Sequence, residues 1–260
     1  MKLSPTAIQL LKNDKQKFWG KHILKIKEDM DQSVFLPWRA CHHWVYMYNK
    51  TTKKNILEGL TKLDEEIEKV WGVEDRQKML WYVENGIRNY FDSWYPPHKN
   101  PEVYMETKYK DHYVVGYIDA IDDGQIIDYK FVSNFTKPDS KLFGHKLTKL
   151  EEYTIQALIY VFLAESKWFE IDQVRFIEIL KKDTTIKPTT TIKKDKLINM
   201  IKENYKLDDE PTGTKPQLLE KYPLRWEAVK EIVFDVTDEF RKDIVKLLDE
   251  SIEQIELLLP

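Results

Sequence analysis

Residues 114–132 read VVGYIDAIDDGQIIDYKFV, two runs of strand-like alternation on either side of Asp123-Gly124. Aspartate followed by glycine is typical of a two-residue hairpin turn, because both turn positions need a positive φ. Such a turn sets the register of the hairpin and places Asp119 directly opposite Asp128. A three-residue loop over 123–125 is the alternative, and it would separate the two aspartates.

The two-residue register predicts a polar face and an apolar face, because successive side chains of a strand point to opposite sides. The polar face carries Tyr117, Asp119, Asp128 and Lys130. The apolar face, suited to packing against helices, carries Gly116, Ile118, Ala120, Ile127, Tyr129 and Phe131. Opposed carboxylates repel each other, so the arrangement predicts a positive charge between them. A divalent cation meets this need, with Lys130 as an adjacent positive charge.

Length and composition exclude several classes of protein. The 260 residues favour a single domain with one sizeable core. The single cysteine, Cys41, excludes an internal disulfide framework and any all-cysteine metal site, and it is typical of a reducing cytosol. We expect no membrane partner and a cytoplasmic location in a bacterium or a phage-infected host, since no segment resembles a signal peptide or a membrane span. A net charge of −3 means that any nucleic-acid site must be a local groove.

The chain divides into an N-terminal helical part, about 1–98, and a core, about 100–182. Apolar spacing predicts helices in the first part, after a Ser4-Pro5 cap and at Trp38–Tyr48, Ile56–Val70 and Arg76–Phe91. The core is predicted to contain three strands, a helix and a strand, at Val103–Tyr109, Tyr113–Ile121, Ile126–Val132, Leu150–Trp168 and Gln173–Leu180. This order predicts an α/β (α+β) fold with a central mixed sheet flanked by helices.

The remainder of the chain is predicted to complete the same domain, 1–260. A polar insertion spans about 183–217 and contains one short helix, Lys194–Tyr205. An edge strand is expected at Ile232–Val236, and a C-terminal helix over about 237–258 begins at Thr237 as its N-cap.

Three motifs in the core resemble those of the PD-(D/E)XK nucleases, most closely the RecB-like branch with CRISPR-associated and phage exonucleases. They are Gly116-x-x-Asp119, Asp128-x-Lys130 and Gln156-x-x-x-Tyr160. A lone Asp-x-Lys triplet is not specific in so charged a chain. Here the first two motifs fall on paired strands and the third on the next helix, in the order of the family. The resemblance is clearest over residues 100–182 and implies a restriction-endonuclease-like core.

The resemblance implies that Asp119, Asp128 and Lys130 are the catalytic residues. Hydrolysis of a phosphodiester needs charge neutralisation on the phosphoryl oxygens and an activated water, which Mg²⁺ or Mn²⁺ supplies. Asp119 and Asp128 would bind the metal, together with the backbone carbonyl of Tyr129 as in the family; one or two protein carboxylates are typical for Mg²⁺. Lys130 would orient the water or stabilise the transition state as a point charge.

Two further metal-ligand positions follow from the resemblance. The RecB-like branch takes a histidine from an N-terminal helix, and His42 and His43 are the candidates, with a small preference for His43. Glu106, on the strand before Asp119, is a candidate for binding a metal or its water, and a solvated strand residue is the alternative. Some family members carry an iron–sulfur cluster, but the cysteines that would hold it are not present here, so we expect none.

Substrate contacts are expected from the helix and from a basic loop. Gln156 and Tyr160 are four residues apart and share one helix face, which the resemblance places beside the active site. Four lysines after the hairpin are candidates for holding phosphates, with a solvated loop as the alternative: Lys137, Lys141, Lys146 and Lys149.

The expected function is therefore that of a metal-dependent deoxyribonuclease, an exonuclease on DNA ends or single strands in recombination, repair or phage DNA processing. Its partners would be DNA and a recombination protein. One alternative is a nuclease-fold module that binds DNA or protein without cutting. The other is a structure-specific endonuclease.

Overall fold

A computed structural model describes residues 1–26, 36–52, 61, 64–65, 73–93, 95–137, 139–141 and 144–259. The predicted helix Ile56–Val70 lies largely outside these residues. In the part of the chain that is described, no helix combines the length and apolar character that a bilayer crossing requires.

The N-terminal part is helical, as the apolar spacing predicts. A two-residue strand, β1 (Lys2–Leu3), precedes α1 (Pro5–Asn13), whose N-cap Ser4 accepts a hydrogen bond from the Ala7 amide through Oγ. Helix α2 (Lys15–Phe18) continues into a π-helical turn (Trp19–Ile23). The predicted helices Trp38–Tyr48 and Arg76–Phe91 are confirmed inside α3 (Leu36–Thr51) and α4 (Val73–Asp92).

A six-stranded mixed sheet forms the centre of the fold. Its other strands are β2 (Pro101–Tyr109), β3 (His112–Asp122), β4 (Gln125–Val132), β5 (Gln173–Leu180) and β6 (Val229–Asp235). One edge of β3 pairs antiparallel with β2, and its other edge pairs antiparallel with β4 and parallel with β1. Strand β5 is parallel to β4 and antiparallel to β6. The predicted α/β class with a central mixed sheet flanked by helices is confirmed.

The turn between β3 and β4 has the predicted two-residue geometry. Asp123 and Gly124 have φ values of 43° and 76°, both in the left-handed region that this turn requires. The paired positions are Ala120 with Ile127, Ile121 with Ile126, and Asp122 with Gln125. The three-residue alternative would shift this register, so it is excluded.

Two helical layers cover the sheet on opposite sides. Helices α1, α5 (Lys149–Glu165) and α8 (Asp238–Glu256) pack on one face, where residues such as Ile126, Phe176 and Leu248 are fully buried. Helices α3 and α4 cover the other face, where Trp44 of α3 and Ile87 of α4 pack in one cluster with Ile177 of β5. Each face of the sheet is therefore apolar, as expected for a sheet buried on both sides.

The alternation of side chains along β3 is interrupted at Asp119. Ile118 packs in the layer of α5, whereas Ala120, two residues later, packs in the layer of α3. In a regular strand these two side chains would share a face. Gly116 also faces α5, so the predicted single apolar face from Gly116 to Phe131 is wrong.

The neighbouring strand is irregular at the same level. The pairing of β2 with β3 includes Pro101 with Ala120 and Val103 with Ile118, but not the position between them. That position is Glu102, whose φ of 49° is unusual for a residue with a side chain. The distortion on both strands turns Asp119 away from the regular alternation and towards the edge that β3 shares with β4.

The polar insertion forms a small hydrophobic cluster of its own. Helix α6 (Lys194–Tyr205) has the predicted bounds, and a second helix, α7 (Lys215–Lys221), was not predicted. The cluster contains Ile186, Leu197, Ile198, Ile201, Leu218, Leu219 and Leu224. Thr237 caps the C-terminal helix as predicted, since its Oγ1 accepts from the Phe240 amide. The assignment of residues 1–260 to a single domain stays a prediction.

Candidate active site

A gap in the sheet opens beside the middle of β3. On this edge β3 pairs with β1 at residues 113 and 114 and with β4 at residues 120–122. Residues 115–119 have no strand partner there among the described strands. A cavity of about 680 Å³ lies at the gap. It brings together side chains from α3, β3, β4 and α5, including His42, Asp119, Asp128, Lys130, Gln156 and Tyr160.

Asp119 and Asp128 occupy the first positions beyond the last paired residues, where β3 and β4 part. Asp119 Oδ2 accepts a hydrogen bond of 2.8 Å from the Tyr129 amide. The Asp119 side chain thus takes the place of the backbone acceptor that this amide lacks where the two strands separate. Asp128 Oδ1 accepts from Gln156 Nε2 at 2.8 Å, and its Oδ2 lies 2.7 Å from Lys130 Nζ. The predicted catalytic residues therefore meet in one cavity.

The two carboxyl groups have pKa values that are shifted in opposite directions. Burial raises the pKa of Asp128 to about 6; the Lys130 ammonium opposes this shift and the charge of Asp119 adds to it. Burial also disfavours the charged form of Asp119. There His42, Lys130 and the Tyr129 amide together outweigh burial, and the pKa of Asp119 lies below its ordinary value. Burial makes Asp128 harder to ionise, and it lies beside the ionised Asp119. A bound cation would stabilise both carboxylates in their charged forms.

The raised pKa of Asp128 predicts how the stability of the protein depends on pH. The pKa is about 6 in the folded protein and 3.8 ordinarily, so the folded state binds this proton more tightly. Its contribution to stability is complete below pH 3.8 and is lost as the pH rises through 6. Asp128→Asn keeps the acceptor for Gln156 but never ionises.

We therefore expect the stability of Asp128→Asn relative to wild type to rise between pH 4 and pH 8 by on the order of 2 kcal/mol. Urea unfolding of both proteins at several pH values, without divalent cations, measures this difference. A difference that does not change with pH would show that Asp128 ionises as easily in the folded protein as in the unfolded chain.

His42, and not His43, faces the two carboxylates. His42 is buried, its Nδ1 lies 3.4 Å from Asp119 Oδ2, and its ring contacts Trp38 and Phe131. Its Nε2 is also buried and has no hydrogen-bond partner among the residues described. His43 is half-buried and contacts Tyr46. The structure thus brings His42 and not the preferred His43 beside Asp119, because the packing of α3 on the sheet directs that residue towards it; a metal-ligand role for either histidine stays a prediction.

This geometry predicts different effects for the two histidines. His42→Ala should raise the Mn²⁺ concentration needed for half-maximal cleavage by about tenfold, because it removes the imidazole beside Asp119. His43→Ala is the matched control and should change this concentration little, since adjacent residues of a helix point about 100° apart. Titration of cleavage against Mn²⁺ gives both values. Equal effects of the two changes would contradict the assignment.

Glu106, the carboxylate predicted on β2, lies away from the cavity. It forms an ion pair of 2.7 Å with Lys2 and accepts a hydrogen bond from Tyr104. Glu102, four residues earlier, is exposed and does not line the cavity either; burial raises its pKa, the charge of Asp119 adds to this, and His42 and His43 oppose it. The alternating pattern of β2 did not distinguish Glu102 from Glu106, because both have the same parity on the strand.

The glycine of the first motif allows the helix to approach the sheet. A Cβ on Gly116 would lie 2.9 Å from Leu163 Cδ1 and 3.2 Å from Tyr160 Cε1 of α5. This approach brings the Gln156 side chain within reach of Asp128, and Gln156 Nε2 also donates to the Tyr160 hydroxyl at 2.7 Å. Burial raises the pKa of Tyr160 well above its ordinary value. The expected position of Gln156 and Tyr160 beside the carboxylates agrees with this geometry, and their contact with substrate stays a prediction.

Three of the four lysines proposed to hold phosphates line a second cavity. This cavity, of about 460 Å³, includes Lys137, Lys141 and Lys149 and shares Lys149 and Val132 with the first cavity. Lys149 Nζ lies 2.8 Å from Glu152, a carboxylate of the first cavity that the motifs did not predict. Lys146 lines neither cavity. Three of the four predicted lysines therefore lie at or next to the cavity that contains Asp119 and Asp128, whereas Lys146 does not.

The donor set suits a divalent cation that keeps several of its waters. Within the described ranges, no three His, Cys, Asp or Glu side chains come close enough together to hold a metal ion. Asp119 and Asp128 would provide the one or two carboxylates typical of Mg²⁺, with water filling other positions. The Tyr129 side chain is turned away, since its hydroxyl contacts Asn49 and His98, so only its backbone carbonyl is available.

Comparison with known proteins gives a likeness of fold. No protein-family model and no curated protein sequence matches the chain. The crystal structure of a protein from Eubacterium rectale named "putative exonuclease" superposes with a TM-score of 0.52 at 10% identity, covering 98% of this chain and 80% of that one. A phage-related exonuclease from Haemophilus somnus gives a TM-score of 0.40 at 14% identity, covering 99% and 95%. The chain thus shares the fold of the Eubacterium rectale structure, which agrees with the PD-(D/E)XK-like core inferred from its motifs.

Proposed function

We propose that this protein is a metal-dependent deoxyribonuclease, an exonuclease that acts on DNA ends or single strands. One observation carries the proposal. Two buried carboxylates, Asp119 and Asp128, meet at a gap in the sheet, and Lys130 Nζ lies 2.7 Å from one of them. The three motifs that resemble PD-(D/E)XK nucleases converge on this gap. The exonuclease name of the Eubacterium rectale structure supports the same activity.

The side chains of the cavity have distinct parts in this chemistry. Mg²⁺ or Mn²⁺, when bound, would neutralise charge on the phosphoryl oxygens and lower the pKa of a water. Asp119 and Asp128 would hold the ion, and His42 would complete its environment on the side of α3. Lys130 would direct its ammonium group to the attacking water or to the charge that develops on the phosphate. Gln156 would hold Asp128 Oδ1 in a fixed orientation.

The lysine-lined cavity would accept the phosphate backbone next to the cleaved bond. Lys137, Lys141 and Lys149 provide positive charge in a protein whose net charge is −3, and Lys149 borders both cavities. Binding through such contacts weakens as salt replaces the counterions of DNA. Each lysine that contacts a phosphate is expected to contribute to the slope of affinity against salt concentration.

A module that binds DNA without cutting it is the second candidate function. It is favoured by the lack of a three-residue metal-ligand cluster in the described part of the chain. Metal titration distinguishes the candidates. A nuclease will release labelled products in proportion to bound Mg²⁺ or Mn²⁺, whereas a binding module will retain intact DNA at every metal concentration.

One assay tests the proposed activity directly. DNA labelled at one end, single-stranded or duplex, is incubated with the protein and Mg²⁺ or Mn²⁺, and the lengths of the products are followed over time. An exonuclease shortens the labelled strand stepwise or releases the label as a short product. Circular single-stranded DNA is the matched substrate without ends, so its cleavage would identify an endonuclease instead. No cleavage of any substrate would reject the proposal.

We further propose a cytoplasmic setting in DNA recombination, repair or phage DNA processing, with a recombination protein as partner. The lone cysteine, Cys41, is buried and free in the structure, which suits a reducing compartment. Fractionation of expressing cells would locate the protein, and co-purification with single-strand-binding or annealing proteins would test the partner.

A further inference from the structure

Two exposed tyrosines form a contiguous aromatic surface at the mouth of the carboxylate cavity. Tyr104 on β2 and Tyr117 on β3 are paired across the two strands, and their rings lie 4.9 Å apart. Tyr117 is 68% exposed and Tyr104 is 46% exposed. Both rings line the cavity that contains Asp119. Because β3 places Tyr117 two residues before Asp119, the aromatic surface directly adjoins the candidate active site.

The Tyr104 ring of this surface is anchored by a hydrogen bond. The Tyr104 hydroxyl donates a 2.5 Å hydrogen bond to Glu106 Oε2, which also receives a 2.7 Å hydrogen bond from Lys2 Nζ. Both tyrosines are on paired strands of the central sheet and not on a loop. A ring whose position is already set loses little conformational entropy when a flat ligand stacks on it.

We propose that an unpaired base of the substrate strand stacks on the Tyr104–Tyr117 surface while its neighbouring phosphate lies at the divalent cation that Asp119 and Asp128 would hold. This inference rests on the proposed nuclease function and names its substrate as a single strand. Base stacking on an aromatic ring tolerates any sequence, because every base has a π-face. It requires an unpaired base, since the bases of a duplex are stacked on one another.

Lysine side chains near the rings provide partners for the phosphates of a polynucleotide, although Lys130 and Lys149 are each paired with a carboxylate of the cavity. Lys130 and Lys149 line the cavity with the rings, and Lys137 and Lys141 continue the positive charge into the adjoining cavity. Single-strand binding sites commonly combine a positively charged groove with aromatic platforms in this way.

The experiment separates stacking from the rest of binding by removing the base. A fluorescently labelled single strand is compared with the same strand carrying abasic sugars at the nucleotides nearest the labelled end, and affinities are measured by fluorescence anisotropy with Ca²⁺ in place of Mg²⁺. Wild type should bind the normal strand about tenfold more tightly than the abasic one. Tyr117→Leu should bind the two strands nearly equally, because its ring is missing. Tyr117→Phe, which keeps the ring, should retain the discrimination.

Tyr113→Leu is the matched control, because Tyr113 is a 44% exposed tyrosine of the same strand that does not line the cavity. It should discriminate between the strands as wild type does. If Tyr117→Leu keeps the tenfold preference for the normal strand, the aromatic surface does not bind bases and the inference is overturned. The measurement needs no cleavage, so a protein that prefers the normal strand but never cuts it would reject the nuclease proposal alone.

Discussion

Replacement of Asp119 by asparagine is expected to reduce DNA cleavage by on the order of a thousandfold without unfolding the protein. The asparagine carbonyl can still accept the hydrogen bond from the Tyr129 amide, so the contact between β3 and β4 is kept. What is lost is the negative charge that would hold a divalent cation beside Asp128. Initial rates on end-labelled single-stranded DNA, measured over a range of Mn²⁺ concentrations, determine the loss.

Asp123→Asn is the matched control for this change. Asp123 is on the turn of the same hairpin, does not line the cavity and has a largely exposed side chain. Asparagine tolerates the positive φ of this turn position. The control should therefore cleave at the wild-type rate. If Asp119→Asn cleaves as fast as Asp123→Asn, the hairpin is not the active site.

Replacement of Lys130 by methionine is expected to reduce cleavage by about 100-fold or more while metal binding is retained. A charged lysine has no lone pair to give to a metal, so its contribution belongs to the chemical step. Methionine keeps much of the volume of a side chain that is only 20% exposed. Single-turnover cleavage rates report the chemical step, and calorimetric titration with Mn²⁺ reports metal binding.

The pH of this experiment has to be chosen for Asp128. Lys130 lowers the pKa of Asp128, so its removal will raise that pKa further, and the rates of the variant are therefore compared at several alkaline pH values. Lys108→Met is the control, since Lys108 is an exposed residue of β2 that does not line the cavity. A Lys130→Met variant that binds Mn²⁺ and cleaves like the Lys108 control would remove Lys130 from the mechanism. Loss of Mn²⁺ binding in Lys130→Met would show that Lys130 supports the structure of the metal site.

The activity of Asp119, Asp128 and Lys130 is tested only by changing these residues. At 10% identity the likeness to the Eubacterium rectale structure concerns the path of the backbone. The positions of Asp119, Asp128 and Lys130 come from this chain alone. A fold of this kind can host unrelated functions, so activity has to be argued from the side chains in the cavity.

Features that depend on neighbouring residues along the chain were predictable. The Asp123-Gly124 turn determined the hairpin register, because few residue pairs accept positive φ at both positions. The order of strands and helices followed from the period of the apolar residues. Helix α6 was predicted with its observed bounds, Lys194–Tyr205, for the same reason. The three motifs predicted that Gln156 lies beside the active site, where its side chain contacts Asp128.

Features that depend on contacts between distant segments were not predictable. The alternation along β3 changes at Asp119, because that position is distorted together with Glu102 on β2. The rotation of α3, which selects His42 over His43, depends on how its apolar residues fit the sheet and α4. A rotation of α3 by about 100° would exchange the two histidines, and the residues Arg39 to Trp44 carry no signal that distinguishes them.

The resemblance of its motifs to those of PD-(D/E)XK nucleases indicated residues that converge on Asp119 and Asp128, and the sequence by itself determined the mixed α/β fold and the hairpin register. Local backbone preferences and side-chain periodicity are enough for this, since each acts over a few residues. Only the tertiary structure decided that the sheet opens beside residues 115–119 and that His42 borders the opening. These features result from packing two helical layers against one distorted sheet, a balance of many weak contacts that no local segment contains.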